Sequence, residues 1–483
     1  MVDLTVELNL LDLILILNIP LAVAMVFFER RNPTSALAWL VVLLFLPAAG
    51  FVLYMVFGQN YHKARLFRVK EEDDRILLSM LREQEKELLD RGHSFEDPGL
   101  DRFRGLVFML LENNHAYLTR DNTVQVYTTG EEKFRDLFAA IGSAQDHIHL
   151  EYYIIRDDTL GREIVKALSE RARAGVTVRF LYDAVGCGNI SRHFFDELRE
   201  SGGQVASFFP SLIPHVNLRV NYRNHRKIAV IDGKTGFIGG FNIGDEYLGK
   251  GELGNWRDTH LRIAGSSVLA LQLRFMLDWN YAASDDLGLE ERYFPYSKPV
   301  GATAVQIASS GPDAKWNQIK EGYLKIIGLA RESIFIQSPY FVPDESVMDA
   351  IRIAALSGID VRIMTPAKPD HPFVHWASSS YIGDLLEAGG RAYNYESGFI
   401  HSKTIVVDRV VASVGSANWD VRSFRLNFEA NAFLYDREVA DRLARAFEED
   451  IRESTEITRD VYARRGVRVK FKESVSRLLS PIL

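Results

Sequence analysis

Residues 401–408 read HSKTIVVD and residues 225–232 read HRKIAVID. Each is a strand in composition, with Ile, Val and Ala filling its middle, since β-branched residues suit a pleated, half-buried surface. Each also opens with a histidine and a lysine two residues apart, a spacing that turns both side chains to one face of a strand. A lone His–Lys pair would mark a solvated edge. Two copies in register argue otherwise: both carry Lys at +2 from the His, Asp at +7, Gly at +14 (Gly239, Gly415), a small residue at +15 (Gly240, Ser416) and Asn at +17 (Asn242, Asn418).

The repetition spreads outward from these strands. Residues 148–183 run strand (IHLEYYII), loop with Asp157 and Asp158, helix (REIVKALSERARA), Gly175 and strand (VTVRFLY). Residues 334–365 repeat the order with IFIQSPYFV, Asp344 and Glu345, MDAIRIAAL, Gly358 and IDVRIMT, and DELRESGG at 196–203 answers DLLEAGG at 384–390. Alternating strand and helix periodicity is the signature of an α/β sheet protein. The expectation is two similar α/β halves about a pseudo-twofold axis, residues 105–300 and 301–483, the second ending in a basic tail.

The bulk composition is compatible with this. The 483 residues are 47% hydrophobic and 25% charged, enough apolar material for a large core. The net charge of −7 argues against a general nucleic-acid binder. A single cysteine, Cys187, excludes an intramolecular disulfide framework and a Cys-based zinc site.

The N-terminus is of another kind. Residues 36–57, ALAWLVVLLFLPAAGFVLYMVF, hold no charge. A helix of that length rises about 33 Å, enough to cross a hydrocarbon layer of about 30 Å. Leu8–Phe28 is a second apolar run, interrupted by Asn9, Asp12 and Asn18, and the connector ERRNPTS makes the pair a tight hairpin. Asp3 and Glu7 replace the positive n-region that a signal peptide requires. Lys63, Arg65, Arg68 and Lys70 outnumber Arg30 and Arg31, which places the C-terminal bulk in the cytoplasm. The expected organisation is therefore a membrane hairpin over 1–60, a charged helical linker over 61–104, and the two halves.

Within the motif, geometry separates roles. At roughly 3.3 Å per residue the Asp lies about 23 Å from the His, at a hairpin tip. The returning strand brings Gly and Asn back beside the His. His225, Lys227 and Asn242 should thus cluster with His401, Lys403 and Asn418, while Asp232 and Asp408 serve structure. Two histidines with cationic and amide donors suit phosphodiester chemistry. One imidazole attacks phosphorus, the other protonates the leaving alkoxide and then deprotonates the acceptor, and the lysines and amides stabilise the oxygens without a metal. Gly240 and Ser416 would let backbone approach the phosphate. Asp258 and Glu429, downstream of each motif, are candidates to orient the histidines, with Glu246 a less placed third. His147 with His149 and His371 with His375 have ligand-like spacing but lack a third ligand, so packing or substrate contact is their reading. The tail ARRGVRVKFKESVSRLLSPIL mixes basic and apolar residues, as a segment resting on an anionic membrane would, and equally as a solvated tail would.

HRKIAVID with GGFN, and HSKTIVVD with GSAN, match the paired H-x-K-x4-D motifs of the phospholipase D superfamily. RRNPTSALAWLVVLLFLPAAGFVLYMVFG, NYRNHRK, WRDTHLRI, SPYFVPDE and GFIHSK resemble more narrowly the bacterial cardiolipin synthases of that superfamily. The resemblance covers nearly the whole chain. It implies a duplicated phospholipase D-type sandwich behind a transmembrane hairpin in a bacterial cell membrane. It also implies cofactor-free phosphatidyl transfer between two phosphatidylglycerols, giving cardiolipin and glycerol. By family analogy His225 is the nucleophile and His401 the general acid and base, a pairing that the twofold symmetry leaves reversible. Rivals are a hydrolase using water, transfer to another acceptor such as phosphatidylethanolamine, a nucleic-acid phosphodiesterase, and a non-catalytic scaffold.

Overall fold

The computed structural model describes residues 18–20, 22–23, 33–54, 97–210, 221–285, 287–296 and 298–480. Strands of the first half are β1 (Thr119–Tyr127), β2 (His147–Tyr152), β3 (Thr177–Asp183), β4 (Gln204–Phe208), β5 (Lys227–Ile231), β6 (Thr235–Gly239) and β7 (His260–Ala264). Those of the second are β8 (Thr303–Ser310), β9 (Ser333–Gln337), β10 (Asp360–Pro366), β11 (Arg391–Tyr395), β12 (Thr404–Val407), β13 (Val411–Gly415), β14 (Asn427–Tyr435) and β15 (Ser454–Ile457). Hydrogen-bonded neighbours run β15-β11-β10-β9-β12-β13-β14-β8-β1-β7-β6-β5-β2-β3-β4. Apart from β15 the order is a palindrome about the antiparallel β8–β1 junction, where Val305 faces Thr119. That is the internal duplication expressed as topology.

Side-chain alternation along the motif strands explains the layering. Ile228 and Val230 of β5, with Val406 of β12, enter one shared apolar core with Leu261, Val305 and Phe447. Ala229 and Ile231 point the other way, into a core with Ile148, Leu150 and Phe180. Ile405 and Val407 do the same in the second half, against Ile334, Ile336 and Trp419. A period of two therefore buries both faces of these strands. One observation departs from the expected boundaries. Leu100, Phe103, Leu106 and Leu110, assigned by sequence to the linker and the start of the first half, pack into the core of the second half.

At the N-terminus the described part of 36–57, expected as one continuous helix, forms two helices, Pro33–Phe45 and Pro47–Leu53. They are broken at Leu46 (φ −129°), since the residue before a proline is driven out of helical backbone. Among the described residues no helix is long and apolar enough to cross a membrane. Most of the expected helix 8–28, and residues 55–57, lie outside the described residues.

Candidate active site

Each motif histidine is delivered by a short strand that pairs with the other half. Arg223–Asn224 lies parallel to Asn427–Phe428, and the His225 amide donates to Phe428 O at 2.9 Å. Phe399–Ile400 lies parallel to Trp256–Arg257, and the His401 amide donates to Arg257 O at 2.7 Å. The next residues are Glu429 and Asp258. His225 Nδ1 is therefore 3.0 Å from both oxygens of Glu429, and His401 Nδ1 is 2.6 Å from Asp258 Oδ2. The carboxylates cross over: each orients the histidine of the opposite half. With Nδ1–H donated to a carboxylate, each ring keeps its Nε2 lone pair for chemistry.

Both histidines line one cleft of about 360 Å³, together with Tyr153, Arg223, Asn242, Trp256, Tyr340, Asp370, His371, Asn418 and Arg422. Beneath them Lys227 Nζ donates to His225 O at 2.6 Å, and Lys403 Nζ donates to His401 O. Lys403 Nζ is also 3.9 Å from Asp258 Oδ2. Burial moves these groups most. It lowers His225 to about 4, opposed by Glu429 and reinforced by Lys227. It lowers His401 to about 3, reinforced by Lys403 and opposed by Asp258. Burial likewise lowers Lys403 to about 8 and Lys227 well below its ordinary value. Burial alone would raise Glu429, but His225, Lys227 and the Ser416 hydroxyl together hold it low. The cleft thus presents neutral imidazoles beside an ionised Glu429.

The motif aspartates stand apart. Asp232 accepts from the amides of Gln145, Asp146 and His147 at 2.8–2.9 Å. Asp408 accepts from Arg331, Glu332 and Ser333 at 2.7–2.9 Å and pairs with Arg102 at 2.6 Å. Both adopt left-handed backbone, φ +53° and +52°, at the turn that reverses the hairpin. The two asparagines differ. Asn242 Oδ1 accepts from the Ile154 amide at 3.2 Å and its Nδ2 donates to Tyr247 Oη at 3.1 Å. Asn418 Oδ1 is buried and has no hydrogen-bond partner among the described residues.

The expectation for Gly240 and Ser416 needs correction. They lie behind the carboxylates instead of against the cleft. A Cβ at Gly240 would fall 2.0 Å from Asp258 Oδ1, and Ser416 Oγ donates to Glu429 Oε2 at 2.5 Å. Small size at +15 makes room for the orienting carboxylate.

The family described as "Cardiolipin synthase, PLD-like domain" matches residues 137–255 and 323–451, one match per half. The chain is 52% identical to the major cardiolipin synthase of Bacillus subtilis (strain 168) over 476 residues, covering 98% of this chain and 99% of that one. The chain belongs to the cardiolipin synthase family of the phospholipase D superfamily. Other family members, the cardiolipin synthases of Staphylococcus aureus (strain Mu50) and Listeria monocytogenes (serotype 4a, strain HCC23), are 51% and 49% identical. They cover 97% and 98% of this chain, and 95% and 99% of their own. Residues 16–59 match the family described as "Phospholipase_D-nuclease N-terminal". Among solved structures, the phosphatidylserine synthase of Haemophilus influenzae Rd KW20 shares the fold. Its TM-score is 0.58 at 14% identity, over 78% of this chain and all of that one.

Several residues in or behind the cleft of this family member carry no motif in the sequence. The Tyr153 ring meets the His225 ring edge-on at 4.7 Å, and Trp256 lies 5.1 Å from His401. Tyr247 Oη is 3.2 Å from His401 Nδ1. Tyr340 donates to Asp370 on the cleft wall. The repeat sets Tyr153 opposite Pro339 and Ile154 opposite Tyr340, so it carries no signal for either tyrosine. Tyr247 and Trp256 had none, because aromatic residues in a loop resemble packing. Glu246 accepts from Arg156 at 3.2 Å on the cleft wall. His147 and His149 are buried around the Gln272 amide, 3.3 and 3.2 Å from its Oε1. His371 lines the cleft, while His375 lines an adjoining cavity of about 60 Å³. Among the described residues no three His, Cys, Asp or Glu side chains are grouped to hold a metal ion.

Proposed function

We propose that this chain is a phosphatidyltransferase that makes cardiolipin and glycerol from two phosphatidylglycerols. The observation that carries the chemistry is the pair of crossed His–carboxylate contacts opening on one cleft. His225 Nε2 attacks phosphorus, forming a phosphoramidate bond as the bond to the leaving glycerol oxygen breaks. His401 supplies the proton to that oxygen. The terminal hydroxyl of a second phosphatidylglycerol then gives its proton to His401 and attacks the phosphatidyl-histidine, releasing His225. The bound phosphodiester offsets the charge of Lys227 and Lys403, which raises His401 toward the range where it holds the proton it must donate. Lys227, Lys403, Asn242 and Asn418 stabilise the non-bridging oxygens.

The same reading makes the enzyme integral to the bacterial cell membrane through Leu8–Phe28 and residues 36–57, with its catalytic halves in the cytoplasm. The uncharged run of residues 36–57 and the N-terminal family match support this. A nucleic-acid substrate fits poorly with a chain of net charge −7.

Purified full-length protein in phosphatidylglycerol vesicles, with a chelator present, is expected to form cardiolipin and glycerol in equal amounts. Phosphatidic acid as the sole product would replace transfer by hydrolysis. A phosphatidylethanolamine adduct formed in mixed vesicles would broaden the acceptor.

A further inference from the structure

The helix Val467–Leu478 is amphipathic, and it presents its apolar side outward. It buries Glu473 and Ser476. Glu473 accepts from Ser379 Oγ at 2.8 Å and pairs with Arg465 at 2.5 Å, and Arg477 pairs with Asp384 at 2.7 Å. These polar contacts fasten it to the helix Pro372–Glu387. Val467, Phe471, Val475 and Leu478 recur at i, i+4, i+8 and i+11, which is a single stripe of an α-helix. Their exposures are 83, 69, 37 and 81%. Such a stripe normally faces the core. Here Arg468, Lys470 and Lys472, all exposed, flank it.

The helix packs against Pro372–Glu387, whose N-terminal end borders the cleft. Lys472 Nζ sits 4.5 Å from the Trp376 ring centroid, and half-exposed Phe373 packs edge-on against Trp376 at 5.7 Å. Lys472 meets Trp376, Glu473 meets Ser379 and Arg477 meets Asp384, so the two helices run in the same direction. The first turns of the basic helix therefore lie toward the end of Pro372–Glu387 that carries His371 and Val374, both on the cleft wall.

We propose that this face is a docking surface for an anionic lipid bilayer. Phe373, Val467, Phe471 and Leu478 enter the headgroup boundary, and Arg468, Lys470 and Lys472 meet lipid phosphates. Charge decides the occupant. An apolar stripe bordered by cations is the form of helix that lies in a membrane interface, and basic side chains there are drawn to anionic lipid. A stripe one helix wide is also narrow beside the roughly 800 Å² per partner of a stable protein interface. The docking stands on the helix itself, whereas its use, seating the cleft mouth at the headgroups, rests on the function proposed above.

The test uses the full chain in vesicles. Cys187, the single cysteine, is buried and is replaced by Ser, and Phe471→Cys carries a nitroxide. In vesicles containing phosphatidylglycerol the label is expected to gain exposure to oxygen and lose exposure to a water-soluble nickel chelate, relative to pure phosphatidylcholine vesicles. Equal chelate exposure in both overturns the proposal. Dipolar broadening between labels on two copies also overturns it, by assigning the face to a second chain. The double variant Phe471→Asp/Leu478→Asp is expected to lose turnover of vesicle phosphatidylglycerol several-fold while its turnover of soluble bis(p-nitrophenyl) phosphate stays unchanged. Unchanged vesicle turnover overturns the seating of the cleft. If the unmodified chain made no cardiolipin at all, the proposed function would fail while the nitroxide result still decided the docking.

Discussion

His225 Nδ1 sits 3.0 Å from both carboxylate oxygens of Glu429, a residue 204 positions further along the chain. Asp258 and His401 form the reverse pair at 2.6 Å. Neither half holds a complete histidine–carboxylate unit, so the site depends on the two halves packing together. Asn427 and Ser416 also donate to Glu429, at 3.2 and 2.5 Å, which fixes the carboxylate before substrate arrives.

Glu429→Gln keeps the shape and removes the charge that selects the His225 tautomer. Loss of the equivalent carboxylate in a catalytic triad costs about 10⁴ in kcat, and a fall of roughly 10²–10⁴ is expected here. Cardiolipin formation with an unchanged circular dichroism spectrum is the measurement. Turnover within a few-fold of the parent would show that Glu429 does not orient the nucleophile.

Asp408→Asn is expected to damage stability more than chemistry. An amide oxygen cannot accept three amide protons and hold Arg102, so buried donors are left unpaired at about 1–3 kcal/mol each. A lower melting temperature is expected, with near-parental turnover per folded molecule. A native melting temperature with lost turnover would give the aspartate a direct part in the reaction.

The alternating periods, the repeat and the His-x-Lys spacing were legible because each is local: three residues of a strand report which face they share. The crossing of Glu429 to His225 was not legible, because sequence offsets (+28 for Glu429 and +33 for Asp258 within their own copies) say nothing of which half a strand end will meet. Gly240 is ambiguous in sequence for a related reason. Glycine signals close approach by something, and only the fold shows that it is the Asp258 carboxylate. Leu100 and Phe103 read as linker because their partners, in the core of the second half, lie far along the chain.

That correction at +15 gives an asymmetric pair of substitutions. Gly240→Ala forces a Cβ to within 2.0 Å of Asp258 Oδ1, so the carboxylate must leave His401. Ser416→Gly deletes the hydrogen bond to Glu429, a loss of about 1.5–3 kcal/mol for a charged acceptor, and the one its hydroxyl accepts from the Ala430 amide, but leaves Glu429 its place beside His225. Gly240→Ala should therefore reduce turnover far more than Ser416→Gly does. The reverse order in steady-state kinetics would place the small residue against the phosphate after all.

The depressed histidines also fix a pH dependence of stability. His225 at about 4 and His401 at about 3 refuse protons that the unfolded chain accepts near its ordinary 6.5. Between those values the unfolded state binds more protons, so stability rises with pH, is fully present above about 6.5 and is lost as pH falls. By pH 5 each histidine withdraws about 2 kcal/mol. Asp183 and Asp420, both raised to about 6 by burial, act in the opposite direction over part of this range. The histidine part is isolated by difference: His225→Asn/His401→Asn should flatten the slope of melting temperature against pH from 6.5 to 5. An unchanged slope would mean that the histidines titrate normally in the folded chain.

The division of labour between the histidines is tested by trapping the intermediate. A p-nitrophenyl phosphodiester needs no general acid, because its leaving group departs as the anion. His401→Ala should therefore still form the phosphorus–nitrogen bond at His225, yet lack the base that activates the acceptor. The expected outcome is a burst of nitrophenolate of one equivalent per site, followed by slow turnover. A phosphoramidate, labile to acid and stable to base, should then map to the peptide containing His225. His225→Ala should show no burst with the same substrate. A burst from His225→Ala, with the adduct on His401, would exchange the two roles and make the Asp258–His401 pair the nucleophilic one.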